Sequence, residues 1–155
     1  MTKLAAVLLA LAAAARAASG LSTRMADVRV QGLEPGKRYD LKAQGIRYAV
    51  TNRGDEAATI AVEPVAVSTK SALSGYEPGD AAWVSVLPSS QTAAPGATIE
   101  SGLVVTVPDD PALAGRKFQV NLWSHTIDGA IAVGVLSRLR LEFAPAKKPA
   151  QGWEP

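Results

Sequence analysis

From residue 131 to residue 143, apolar side chains fall on every second position. Ile131, Val133, Val135, Leu139, Leu141 and Phe143 share one parity, which only Ser137 interrupts. Ala132, Gly134, Leu136, Arg138, Arg140 and Glu142 hold the other. A period of two belongs to a strand with one face buried, not to a helix. At about 3.3 Å per residue such a strand would reach roughly 43 Å if straight, more than twice the usual length. It can line the core of its own domain and still offer main chain to a partner. The segment is therefore expected to be an exposed edge, and the protein a binding module.

The rest of the chain past residue 20 reads as short strands separated by Pro, Gly and Asp. Val28 and Val30 alternate with polar neighbours before Leu33-Glu34-Pro35-Gly36, a turn with Pro and Gly in its two central positions. Tyr39 and Leu41 form a short piece. Ile46, Tyr48 and Val50 form another, which ends at Asn52-Arg53-Gly54-Asp55, residues that tolerate left-handed backbone. Ile60 and Val62 follow, and Pro64 bends what comes next. Residues 68–82 are irregular. Trp83 to Leu87, Ile99 to Val107, and the run through Phe118, Val120 and Leu122 are further strands. Asp128-Gly129 predicts a hairpin into the final strand. No segment has helical periodicity. Seven to nine strands with turns about every eight to twelve residues predict an all-β, antiparallel β-sandwich over residues 20–144. The Pro-, Lys- and Ala-rich stretch 145–155 is expected to be a disordered tail.

Residues 1–19 are set apart as a secretory signal peptide. Lys3 gives a positive start and Leu4 to Ala15 is apolar. Ala15-Arg16-Ala17 or Ala17-Ala18-Ser19 supplies the small-residue cleavage site, and the apolar run is too short to span a bilayer. An uncut membrane anchor is the competing reading. Lys3 and Arg16 leave with the signal, so sixteen basic residues become fourteen against fourteen acidic. The mature chain is then near neutral, which gives no support to nucleic-acid binding. There is no cysteine, hence no disulfide framework and no thiolate metal site. No membrane span is expected after signal cleavage.

Candidate chemistry is sparse. His125 is the single histidine. Its neighbour Ser124 points to the opposite face of a strand, so the pair cannot form a nucleophile–base dyad. Asp109 and Asp110 lie between prolines and read as turn formers, without the ligand spacing of a calcium loop. Glu77 and Asp80 belong to the irregular stretch. No glycine motif for nucleotides is present, and no cofactor or metal is expected. Trp123 shares parity with Lys117, Gln119 and Asn121. A regular strand would put it outside, where it could stack on a sugar or anchor a protein. A bulge would turn it inward, the placement expected for most Trp residues in such sandwiches. Trp83 is the second stacking candidate.

Three landmarks resemble immunoglobulin-like domains of secreted bacterial proteins: the strand ending in Asn52-Arg53-Gly54-Asp55; Trp83 to Pro88 followed by Pro95-Gly96; and Val107-Pro108 followed by Ala114-Gly115 and the Phe118 strand. More narrowly, residues 137–145 resemble the closing strand of the first domain of periplasmic pilus-assembly chaperones. That resemblance implies strand donation to an incomplete subunit, with Ile131, Val133, Val135 and Leu141 as contacts and the basic residues Arg138 and Arg140 beside them. It implies that Arg140 captures a partner carboxylate, with Arg24 as a second anchor. The chain departs from the family at Glu142, where an aromatic is usual, and at Ala144, where an arginine is usual. The same charges also read as a solvated edge that blocks unwanted pairing.

The expectation is an exported, non-enzymatic, protein-binding module of the cell envelope, secreted or periplasmic and chaperone-like in surface-fibre assembly. The alternatives are a module that binds cell-wall glycan and a self-assembling surface subunit.

Overall fold

The computed structural model describes residues 20–129 and 131–148. The expected signal peptide, Trp153 and most of the expected tail lie outside these residues. Eleven strands run through the described chain: β1 Leu21–Ser22, β2 Asp27–Leu33, β3 Arg38–Asp40, β4 Tyr48–Asn52, β5 Ala58–Val65, β6 Glu77–Pro78, β7 Val84–Leu87, β8 Ser90–Ala93, β9 Thr98–Thr106, β10 Lys117–Thr126 and β11 Gly134–Phe143. Three single 3-10 turns at 42–44, 81–83 and 111–113 are the described helical segments.

The strands form two sheets of an immunoglobulin-like sandwich. One sheet has the order β1-β4-β9-β3, with β7 also on β9. The other has the order β2-β11-β10-β5-β8, with β6 also on β10. The pairings are antiparallel except β11 with β2 and β10 with β6, which are parallel. Period-two alternation delivers the core: Val28, Val30 and Leu33 from β2, Phe118, Val120 and Leu122 from β10, and Leu139, Leu141 and Phe143 from β11 face Tyr48, Val50, Val86, Leu103 and Val105 of the opposite sheet. Trp83 packs edge-on against Phe118 and Phe143 at 5.1 and 6.2 Å and closes one end of this core.

The first strand belongs to both sheets. β1 pairs with β4, residues 23–26 cross the seam, and β2 pairs with β11. Thr23 fixes the crossing: its hydroxyl donates to the Ala49 carbonyl and accepts from the Met25 amide. Inside the sandwich, the Tyr48 hydroxyl meets Ser124 Oγ at 2.9 Å and Ser137 Oγ at 2.7 Å. These three buried hydroxyls satisfy one another and tie β4 to β10 and β11. Ser137, the one break in the apolar parity of the final strand, is thus an inward residue with a partner.

Several expectations need correction. β11 begins at Gly134, so Ile131 and Val133 lie in the loop before it. The expected hairpin is present, with Asp128-Gly129 inside the loop that joins antiparallel β10 and β11. The Asp128 carboxylate accepts from the Thr59 amide and ties that loop to β5. The Asn52 turn works without left-handed backbone. The Asn52 side chain donates from Nδ2 to the carbonyls of Glu56 and Ala93, and its Oδ1 accepts from the Gly54 backbone amide.

Candidate functional site

β11 is not a free edge along its length. β10 pairs with it from Lys117↔Glu142 to His125↔Gly134. β2 covers its other margin only from Arg138↔Asp27 to Phe143↔Leu33. Residues 138–143 therefore have both margins occupied and cannot accept a further strand. This corrects the expected continuous edge over 131–143. Among the described residues, no strand pairs with 134–137 on that margin, because the first strand is still on the other sheet at that level. The Arg138 amide donates to Ala26 on the β2 side. Main-chain groups alternate along a strand, so Leu136 and Gly134 turn their amides and carbonyls to that same open side.

The expected contacts fall in different places. Leu141 is fully buried in the core. Val135 is half-buried, Leu136 is 55% exposed, and Ile131 is exposed in the loop. Arg140 already holds a carboxylate: its Nε donates to Asp27 Oδ1 at 2.7 Å, and Arg138 Nη1 lies 3.5 Å from Asp27 Oδ2. Asp27 thus occupies the position in which a captured carboxylate would bind. Arg24 is exposed on the crossing segment.

Glu142 does not neutralise Arg140. It is buried on the outer face and receives two bonds from the Arg29 guanidinium, at 2.9 and 3.0 Å, one from Gln31 Nε2 at 3.0 Å, and one from the Tyr76 hydroxyl. The Arg29 guanidinium first, and then the Tyr76 hydroxyl, hold its carboxyl down to about 2. A bulge makes this possible: two β2 residues, Gln31 and Gly32, face the single residue Glu142, and Gly32 adopts φ 74°. Tyr76 comes from the irregular stretch 66–80, which straps across the outer face of the β10–β11 pair. β6 pairs with β10 there, and Arg116 clamps Glu77 through two bonds at 2.7 and 2.9 Å. Asp80 and Asp110 each cap a 3-10 turn by accepting from the amide two residues on.

Beyond the strap the outer face is open. Trp123 stands there, in register with Leu136 and Glu63 and without a bulge. It is 36% exposed, so the expected inward turn does not occur. Its indole stacks on His125, with centroids 5.7 Å apart and planes 18° apart. Ser124 points into the core and His125 outward, so the two do not meet. Trp83, the other stacking candidate, is committed to the aromatic cluster in the core. Between the strap and β11 lies a groove of about 390 Å³, lined by Ala26, Asp27, Ser71, Gln119, Asn121, Leu136, Ser137 and Arg138. Gln119 is the key to its polar wall. This side chain is 2% exposed; its oxygen accepts from the Leu73 amide at 2.9 Å and its nitrogen donates to Asn121 Oδ1 at 2.9 Å. Among the described residues no group of three or more His, Cys, Asp or Glu could hold a metal ion, and no helix is long and apolar enough to cross a membrane.

Tyr76, Gln119, Asn121, Gln31 and Arg29 were not legible as site residues. Arg29 reaches Glu142 across a separation of 113 residues, and no local pattern marks any of these residues.

No family model matches the chain, and no curated protein matches it. Its fold is similar to solved structures. The PapD-like domain 7 of human CEP192 superposes with a TM-score of 0.55 at 11% identity, over 82% of this chain and 87% of that one. The E. coli chaperone DraB superposes with a TM-score of 0.54 at 14% identity, over 83% and 57%. A putative carbohydrate binding protein from Bacteroides ovatus gives a TM-score of 0.57 at 11% identity, over 83% and 38%. The chain spans a little over half the length of DraB. These likenesses give the fold: an immunoglobulin-like sandwich of the PapD-like kind. Of the proteins named, DraB is a chaperone and the Bacteroides ovatus protein a putative carbohydrate binding protein.

Proposed function

We propose that this chain is an exported, non-enzymatic binding module of the cell envelope that takes up a partner strand on the open margin of β11 at residues 134–137. One observation carries the reading. Gly134 and Leu136 direct main-chain donors and acceptors to a margin that no strand occupies among the described residues. Strand addition satisfies such groups and takes specificity from alternate side chains. An added strand lies in line with β2 and meets Arg138 where β2 begins. A carboxylate at its end contacts Arg138 first and reaches Arg140 only by displacing Asp27. The likeness to periplasmic chaperone domains supports the location and the recognition mode through fold alone.

The test uses Leu136→Pro. The Leu136 amide faces the open margin, so proline removes a donor there and leaves the β10 ladder intact. The mature wild type and this variant are each used to retain partners from an envelope extract, with amide exchange followed on the complex. The expected result is a partner that wild type retains and Leu136→Pro loses, with the Gly134 and Leu136 amides protected in the complex. Equal recovery, or unprotected amides, overturns the reading.

A further inference from the structure

One side-chain nitrogen on the outer face is closed off from water and has nothing to bond. His125 Nε2 is buried and makes no hydrogen bond among the described residues. It lies 3.4 Å from Glu63 Oε2, within ion-pair distance but outside hydrogen-bonding geometry. A buried polar atom in this condition is uncommon and calls for a state in which its need is met. With its proton on Nδ1, the neutral ring turns a lone pair toward the carboxylate, acceptor against acceptor. The other neutral tautomer can donate, but it has no charge to draw the carboxylate in. With both nitrogens protonated the ring is a cation that donates to Glu63.

The other neighbours of this ring bring no competing charge. Ala61 of β5 and Gly134 of β11 stand beside His125 in register, and Ser90 of β8 follows beyond Ala61. In the hairpin loop, the Asp128 carboxylate is held by the Thr59 amide. The first cation along β11 is Arg138, opposite Asn121. On β10 the ring meets the Trp123 indole, with centroids 5.7 Å apart and planes 18° apart. That is within the distance at which an aromatic face attracts a cation. The indole in turn rests on the Gly134 backbone, where a Cβ would lie 2.4, 2.6 and 2.9 Å from its Cη2, Cζ2 and Cζ3 atoms. Contact thus runs from Glu63 through His125 and Trp123 to Gly134, from β5 across β10 to the first residue of β11.

We infer that this stack is a proton-responsive brace on the start of β11. When His125 takes up a proton, Nε2 donates to Glu63, the indole gains a cation on its face, and the ring is held against Gly134. Loss of the proton slackens all three contacts. The Glu63 side chain is exposed and has room to move onto the ring nitrogen. Imidazole changes its charge between about pH 5 and pH 8, so the brace is tight in mildly acidic surroundings and loose in mildly alkaline ones. Gly134 is also the first residue of β11 whose main chain faces the open margin. A main chain ordered in advance lowers the cost of docking, so the brace regulates how readily that margin takes a partner. This use of the brace, though not the brace itself, rests on the strand-addition reading.

The experiment is made on the mature protein without a partner. His125 is the single histidine, so its ring resonances follow the proton without ambiguity. From about pH 8 to about pH 5, Trp emission should fall in step with those resonances, because a protonated imidazole against an indole quenches it. In His125→Gln the emission should stay level. The Val135 amide, which faces β10 beside Gly134, reports the ordering. At about pH 5.5 it should exchange about threefold faster in His125→Gln than in wild type, the ratio that a cation–π contact at a part-exposed site supplies. At about pH 8 the two should exchange alike. Comparison at one pH cancels the intrinsic pH dependence of exchange. Glu63→Gln keeps the shape and removes the anion, and should lose most of the acid protection; circular dichroism shows that each variant is folded. Emission that does not follow the histidine, equal exchange in acid, or full protection kept in Glu63→Gln would overturn the inference. Leu136→Pro leaves Glu63, His125 and Trp123 untouched, so strand addition can fail while the brace stands, and the reverse.

Discussion

The indole of Trp123 rests against Gly134, at a spot where any added side chain would enter the ring. This is a close fit between an aromatic and a bare stretch of neighbouring strand, and aromatics are known to cover strand glycines in this manner. It keeps a part-exposed Trp in one position on the outer face, at the cost of the ring's rotamer freedom.

Gly134→Ala should therefore displace the indole. The expected outcome is a red-shifted Trp emission and a stability loss of about 1–3 kcal/mol from overpacking. Both are read from fluorescence-monitored urea unfolding. An unchanged spectrum and midpoint would show that the ring has another resting place.

Tyr48→Phe should cost about 1–3 kcal/mol, because it leaves the buried hydroxyls of Ser124 and Ser137 without their shared partner. Adding Ser124→Ala and Ser137→Ala should recover part of the loss, as an apolar trio has nothing left to satisfy. Chemical denaturation of the single and triple variants checks this. A triple variant weaker than the single one would point to cavity formation as the larger effect.

Glu142 sets an acid response. Its folded carboxyl titrates near 2, against an ordinary value of 4.5. A depressed carboxyl contributes stability that is whole above its unfolded value and is lost as pH falls toward its folded value. The expected loss runs from about pH 4.5 down to about pH 2. Glu142→Gln should be less stable than wild type at neutral pH, and the difference should shrink across that interval. A constant difference at every pH would contradict the assignment.

Leu139 and Leu136 test the two faces of the last strand. Leu139 is fully buried and Leu136 is 55% exposed. Leu139→Ala should cost about 2–5 kcal/mol, and Leu136→Ala should stay within about 0.5 kcal/mol. Thermal unfolding of both variants is the measurement. Comparable losses would mean that the outer face carries packing of its own.

Parity made much of this fold readable. The alternation in residues 117–122 and 137–143 identifies which side chains meet in the core, since a strand sends neighbours to opposite faces. It also put Trp123 outside, and the general burial habit of Trp argued wrongly against it. Parity says nothing about which strands lie alongside. The central place of β11, between antiparallel β10 and parallel β2, depends on the crossing of the first strand at 23–26, which no local pattern announces. β8, Ser90–Ala93, carries no apolar alternation and is a strand only because β5 pairs with it. The Glu142 cluster stayed hidden for a similar reason. Its four contributors come from three separate parts of the chain, and Glu142 alone reads as one more charge on a wet surface.

The crossing of the first strand has a geometric corollary. β2 meets the last strand first at Asp27↔Arg138. Had the chain changed sheets four residues sooner, the main chain of the last strand would be roofed from end to end and nothing could dock there. The vacancy is a setting inherited from the opposite terminus. Lengthening or shortening the segment ahead of Asp27 should tune how much backbone the protein offers, without altering a residue of the strand that offers it.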